Sequence, residues 1–483
     1  MATDPGLRRL ALGTLLAAFP GTTAPDWAME LLDDGLAGYT LFGFNIVDPE
    51  QVGRLTGRLR AVRPSVLVAI DEEGGDVTRL AHAVGSPYPG NAALGAVGDL
   101  ALTRDIYRAI GVELRTLGVN LDLAPTVDVN TADDNPIIGT RAFGADPVEV
   151  ARHAAAAVDG LQRAGVAACA KHFPGHGATV VDSHHELPTI EVPLDVLRAR
   201  DLPPFAAVVA AGVKAIMTAH IRVPALTGDG PATFSRAALV GLLRGEYGFA
   251  GAIVTDALEM KGAAAAAGGV GPGAVRALAA GADLLCIGAD VDRSLVERVV
   301  DDIVIAIADG RLPVDRVEAA AGRVRTLVEW TIGAAAVEKV EPELGYAAAR
   351  RAVNVDGSTS GFEAPLVVQL ESASTIAEGA VPWGLDPHVG AAERLRVVAG
   401  EVTPDALIQV AGARPIVLVG RHIHRQPGAR KLVEALAASH PVAVVEMGWP
   451  STWRPDGARA FVTTYGASHA NGRAAAEVLG LRP

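Results

Sequence analysis

Seven short apolar runs separated by stretches of helical patterning constrain this chain more than any other feature. They cover 38–42, 65–70, 120–124, 166–170, 215–218, 252–255 and 282–287. Such alternation predicts a parallel sheet with crossover helices. The residues that follow the runs decide between an open and a closed sheet: Asp71-Glu72-Glu73 after the second, Lys171-His172 after the fourth, Ala219-His220 after the fifth and Asp256 after the sixth. In a closed barrel of parallel strands all carboxyl ends face one mouth, so these groups converge; an open doubly wound sheet would spread them out. The reading is therefore α/β, a TIM-like (β/α)8 barrel, with seven strands counted and the eighth still to be found.

The barrel is expected to occupy 1–335 and to end in the helical segment 314–329. A helical linker over 336–361 follows, with an alanine- and arginine-rich stretch at 345–352 and then Gly357-Ser358-Thr359-Ser360-Gly361. Beyond it, runs at 366–370, 395–398, 415–419, 442–447 and 460–464 alternate with helical segments, predicting a smaller three-layer α/β domain over 362–483.

At 483 residues, half of them apolar, the chain exceeds what one hydrophobic core usually supports, in keeping with two domains. A net charge of -13 argues against a nucleic-acid partner, which would need clustered Lys and Arg. The two cysteines, Cys169 and Cys286, sit inside apolar runs and form neither a disulfide framework nor a zinc motif. Residues 10–19 follow Arg8 and Arg9 and mimic a secretory core, but Asp4 lies in the would-be basic region, so a first helix packed on the fold is the simpler reading. No apolar run approaches the roughly 20 residues that cross a bilayer. A cytoplasmic protein without membrane contact is the expectation, ahead of a secreted one, and oligomeric state is not legible.

Chemistry concentrates in Lys171-His172-Phe173-Pro174-Gly175-His176-Gly177 and the following Asp182-Ser183-His184. The apolar run 166–170 delivers the cation and the first imidazole to a strand end, where Pro174 and the glycines force irregular backbone. Asp182 and His184 are spaced i, i+2, so in an extended segment both side chains leave on one side and the carboxylate can hold the imidazole.

These motifs resemble glycoside hydrolase family 3, in its β-N-acetylglucosaminidase branch, over roughly residues 5 to 335. The resemblance rests on Ile70-Asp71-Glu72-Glu73-Gly74-Gly75, on Ala124-Pro125-Thr126-Val127-Asp128-Val129, and on 135–144, which runs from Asn135-Pro136 to Phe143-Gly144. The Lys171 loop, Met217-Thr218-Ala219-His220 and Val254-Thr255-Asp256-Ala257-Leu258-Glu259-Met260 complete the series. Lys-His-Phe alone is shared with β-glucosidases; the Gly-His-Gly and Asp-Ser-His continuation marks the hexosaminidase-like branch. The resemblance implies Asp256 as nucleophile, His184 as general acid/base and Asp182 as the partner that orients it. It also implies that Asp71, Arg141, Lys171, His172 and Met217 hold the terminal sugar. Family members often carry an arginine where this chain has Asp76, and an aspartate where it has Ala178; Arg79 is the candidate to supply the missing cation.

The implied reaction is retaining, exo-acting hydrolysis of terminal β-linked N-acetylglucosamine, with peptidoglycan fragments as the family's usual setting. Retention needs a carboxylate below the anomeric carbon and a proton donor near the leaving oxygen. An imidazole beside Asp182 can give a proton in the first step and take one from water in the second. Gly175 and Gly177 suggest that His184 swings into place only on a bound substrate. The partner is a carbohydrate, and no cofactor or metal is called for.

Blander readings exist for each residue. Asp256 alone could cap a helix; His172 and His176 could be hydrogen-bonded loop residues, the preferred reading for His176; His185 suits a solvent-facing neighbour. Asp128 and Asn135 could brace a loop and are left out of the site. Glu72 and Glu73 point opposite ways on an extended segment and make a poor catalytic pair. His422 and His424, near a later strand end, carry no recognisable motif. Rival activities are a phosphorylase using phosphate as acceptor, a β-glucosidase-like hydrolase, and more remotely a metal-dependent barrel hydrolase with His172, His220 and Asp256 as ligands. A sugar-binding protein with an inactive site is the nonenzymatic rival.

Overall fold

The computed structural model describes residues 4–183, 186–333, 341–390 and 392–481. The chain divides into two compact units. The first comprises Met1–Glu72, Thr103–Ile137 and Ala145–Val340; the second comprises Glu73–Leu102, Ile138–Gly144 and Glu341–Pro483.

The first unit is an eight-stranded parallel barrel. Its strands are β1 (Leu15–Ala17), β2 (Gly38–Leu41), β3 (Leu67–Ile70), β4 (Leu121–Asp122), β5 (Ala167–Phe173), β6 (Ala215–Thr218), β7 (Ala252–Thr255) and β8 (Leu285–Cys286). They follow the order β7-β6-β5-β4-β3-β2-β1-β8, and each neighbour pair is parallel. A further parallel bridge joins Val254 of β7 to Leu284, just ahead of β8, so the ring runs nearly to closure. Seven of these strands coincide with the seven apolar runs. The eighth corrects the reading of 10–19 as one helix: the helix Pro5–Leu12, capped by Asp4, stops at Gly13, and Leu15–Ala17 form β1. Leucine favours helices in isolation, but partners on both edges and complete burial override that preference.

Alternate strand residues fill the barrel. Leu16, Leu67, Ala69, Leu121, Leu123, Ala167, Cys169, Ala215, Met217, Ala252, Val254 and Leu284 form one buried cluster, joined by Val324, Leu327 and Val328 of the helix Val314–Ile332. Period-two spacing along each strand is what the pleat requires of a lumen-facing row. Several surrounding helices begin with an Asp-Pro pair: Asp48 and Asp146 accept the free amides of the helices Pro49–Val62 and Pro147–Arg163, while proline fills a first position that needs no donor.

The second unit is built on a six-stranded sheet of β9 (Asn354–Gly357), β10 (Leu366–Leu370), β11 (Glu393–Val397), β12 (Ile416–Gly420), β13 (Val442–Glu446) and β14 (Ala460–Thr463), in the order β11-β10-β12-β13-β14-β9. Only β9 is antiparallel, against β14. Val367, Val417, Val445 and Val462 pack on one face with Ala475 and Leu479, while Leu366, Leu418, Val444 and Phe461 pack on the other with Leu432 and Leu436. Two covered faces make three layers. In this unit the helix Leu344–Ala352 packs against both Asn91–Val97 and His469–Val478. Among the described residues no helix is long and apolar enough to cross a membrane.

Candidate active site

The lumen row sets the site. Two residues beyond Ala69 in β3 comes Asp71, two beyond Cys169 in β5 comes Lys171, and two beyond Val254 in β7 comes Asp256, so the alternation that buries apolar side chains presents these charges at the carboxyl ends of the strands. Met217 lies in the same row of β6 and is buried. Lys171 is 2% exposed, and its Nζ donates to Asp71 Oδ1 at 2.7 Å. A cation this deep needs such a partner. Asp256 is half-buried; its amide reaches Thr218 O at 3.3 Å and its Oδ1 accepts the Ala257 amide at 2.8 Å. His220, fully buried, has Nδ1 2.8 Å from Thr233 Oγ1 and Nε2 3.0 Å from Ala257 O, so both nitrogens serve the backbone and side chains beside Asp256. That engagement ill suits the metal ligation considered for it.

Beyond β4 the chain runs alongside the end of β5: Thr126 bridges Lys171, and the Val127 amide donates to Lys171 O at 2.7 Å. This brings Asp128 to His172. Asp128 is completely buried, with Oδ2 2.7 Å from His172 Nδ1 and Oδ1 accepting the His176 amide at 2.6 Å. Burial alone would push its carboxyl up, but the His172 imidazole and the His176 amide outweigh that and hold it below the ordinary value. An ionised carboxylate can only accept, so Nδ1 of His172 carries the proton. Asp122, also fully buried, differs: its Oδ1 accepts the Glu72 amide at 3.0 Å, its Oδ2 has no partner, and burial raises its carboxyl far above the usual range.

His176 is held as a loop residue. Its ring contacts Thr179 Oγ1 at 2.6 Å and Ser183 Oγ at 3.1 Å, while its carbonyl accepts Asn135 Nδ2 at 3.0 Å. The flanking glycines have packing reasons. A Cβ at Gly177 would stand 1.9 Å from Val129 O, and one at Gly175, where φ is +127°, would stand 2.7 Å from Asp201 Cβ. Asp182 is half-buried and its carbonyl accepts the Glu186 amide at 3.3 Å. His184 and His185 lie outside the described residues.

Arg141 and Arg79 belong to the second unit. Arg141 is buried and makes a bidentate pair with Glu73, Nε to Oε2 at 2.9 Å and Nη2 to Oε1 at 2.8 Å. The adjacent Thr140 donates to Asp76 at 2.6 Å, and Arg79 Nη2 donates to Ala377 O at 2.8 Å. Glu72 and Glu73 thus serve different partners, the first through its amide to Asp122 and the second through its carboxylate to Arg141. The sequence reading leaves Asp128 outside the site, although its carboxylate holds the His172 ring. The available signal was Asp128 between Val127 and Val129, a carboxylate in an apolar stretch that has to find a partner.

A family model described as the glycosyl hydrolase family 3 N terminal domain matches residues 14–327. Beta-hexosaminidase A of Pseudoalteromonas piscicida is 39% identical over an alignment of 264 residues that covers 50% of this chain and 44% of that relative, less than half its length. Beta-hexosaminidase LpqI of Mycobacterium tuberculosis is 39% identical over 265 residues, 54% of this chain and 67% of the relative. A solved glycoside hydrolase family 3 beta-N-acetylglucosaminidase from Paenibacillus sp. str. FPU-7 aligns at 32% identity with a TM-score of 0.88, covering 99% of this chain and 97% of that one. A model spanning well over half the residues, on a parallel barrel with charged groups at the carboxyl ends of its strands, decides the matter: the chain belongs to glycosyl hydrolase family 3.

Proposed function

We propose that this chain is a retaining, exo-acting β-N-acetylhexosaminidase that releases terminal β-linked N-acetylglucosamine, with peptidoglycan fragments as its substrate class. The observation that carries the reading is the register of the barrel: Asp71, Lys171 and Asp256 continue the lumen row at the carboxyl ends of β3, β5 and β7. The proposed chemistry rests on first-unit residues alone. The Asp256 carboxylate attacks the anomeric carbon and forms a glycosyl ester, while the Asp182/His184 pair protonates the departing oxygen. Water then loses a proton to the same pair and cleaves the ester, regenerating the β-anomer. Lys171 supplies a fixed positive charge near the sugar hydroxyls, and Asp71, held by that cation, accepts from them. Asp128 fixes the His172 ring so that its Nε2 edge faces away from the carboxylate.

The similarity to named hexosaminidases supports the N-acetyl preference over a β-glucosidase reading. The test is turnover of 4-nitrophenyl glycosides that differ only at carbon 2, with the anomer of the first-formed product read by proton NMR. Release of β-N-acetylglucosamine and trapping of a fluorosugar on the peptide containing Asp256 are the expected results. An α-anomeric product, or a label on another residue, would reject the mechanism.

A further inference from the structure

We propose that His176 is a positioning residue for proton transfer, holding the segment that carries Asp182 through its contact with Ser183. The inference deepens the function proposed above and rests on it. His176 is 3% exposed and is attached at four points. Its amide donates to the buried Asp128, its carbonyl accepts from Asn135, and its two ring nitrogens meet Thr179 and Ser183. Thr179 Oγ1 also lies 2.9 Å from the His176 carbonyl, which can only accept, so the single hydroxyl proton goes there and Nδ1 donates to Thr179. In the neutral ring Nε2 is then an acceptor, and Ser183 donates to it.

One imidazole therefore ties both ends of the stretch 179–183, whose middle is exposed at Val180 and half-buried at Asp182. The far side of Ser183 is bounded as well. A Cβ at Gly262, in the helix Lys261–Ala267 that follows the Asp256 loop, would lie 3.2 Å from Ser183 O and 3.1 Å from Glu186 O. Ser183 is thus wedged between the His176 ring and a helix adjoining the proposed nucleophile. Asp182, one residue away, takes its position from that wedge. His176 touches no reacting atom in this account; it acts through Ser183.

The test compares kcat/KM on two N-acetyl-β-glucosaminides, one with a 2,4-dinitrophenyl leaving group that departs without a proton and one, diacetylchitobiose, whose alcohol needs it. His176→Phe keeps the ring volume and removes both nitrogens. It should lose about 30-fold more on diacetylchitobiose than on the dinitrophenyl glycoside, and Ser183→Ala about 5-fold more, fractions of what an absent general acid costs. Asp182→Ala is the control for the underlying reading and should show the largest differential. If Asp182→Ala discriminates and neither His176→Phe nor Ser183→Ala does, the positioning role is overturned while the acid/base assignment stands. If Asp182→Ala loses equally on both substrates, the acid/base assignment fails and this inference goes with it. Should His176→Phe not fold, Ser183→Ala decides alone.

Discussion

Lys171 Nζ stands 2.7 Å from Asp71 Oδ1, joining the carboxyl ends of β5 and β3 across the barrel lumen. The ammonium is nearly inaccessible, whereas the carboxylate keeps 18% exposure. Such a pair is costly to break from either side, because the contact between opposite charges that offsets their burial is lost.

Lys171→Met should therefore lower stability by about 3 kcal/mol and cut kcat/KM by at least about 100-fold. Urea unfolding monitored by tryptophan fluorescence, together with aryl glycoside turnover, checks both. Wild-type stability in this variant would show that the pair contributes nothing to the fold.

Asp256→Asn should abolish turnover of every glycoside and yet leave the fold unchanged. The amide oxygen can still accept the Ala257 amide that Asp256 Oδ1 now takes at 2.8 Å, whereas it cannot form a glycosyl ester. A melting temperature within a degree or two of wild type, with activity lowered by about 10,000-fold, is the expected outcome.

Asp201 gives a pH prediction. It is completely inaccessible; burial raises its carboxyl from 3.8 to about 6, the neighbouring Arg200 opposes the rise, and Asp128 adds to it. A carboxyl that titrates higher in the folded state stabilises it fully below the unfolded value, and that contribution is lost as pH rises through about 6. Compared with Asp201→Asn, the wild type should lose up to ~3 kcal/mol between about pH 4 and about pH 7. Parallel stability curves for the two proteins would remove Asp201 as the cause.

Gly177→Ala places a methyl group against the Val129 carbonyl, at a separation of 1.9 Å before any adjustment. Backbone must move on one side or the other, so about 2 kcal/mol of destabilisation is expected, with a matching fall in the urea midpoint. Gly53→Ala, where nothing lies within 4 Å, serves as the comparison and should be neutral or slightly stabilising.

Much of the barrel was legible because its strands are buried on both faces and so read as unbroken apolar runs. β1 was not, since three residues directly after a helix leave no run long enough to separate from it. β9 escaped for a different reason: its four residues, Asn-Val-Asp-Gly, are all exposed, and the strand exists only through its antiparallel ladder with β14. Charged candidates such as Asp71, Lys171 and Asp256 were readable as strand-exit residues. The contacts of Asp128 with His172 and of His176 with Ser183 depend on how the irregular stretches after β4 and β5 fold back, which no periodicity encodes. Nor did composition disclose that residues 73–102 and 138–144 group with the later sheet, since apolar helices look alike whichever core they join.

That grouping dictates an order of events during synthesis. Helix Asn91–Val97 emerges from the ribosome long before the helix Leu344–Ala352 against which it packs, so its apolar residues, Ala92, Ala93 and Leu94, spend much of translation without their final neighbours. The core around this helix is therefore closed by contacts of long sequence separation, and its completion waits on the segment that carries Leu344–Ala352.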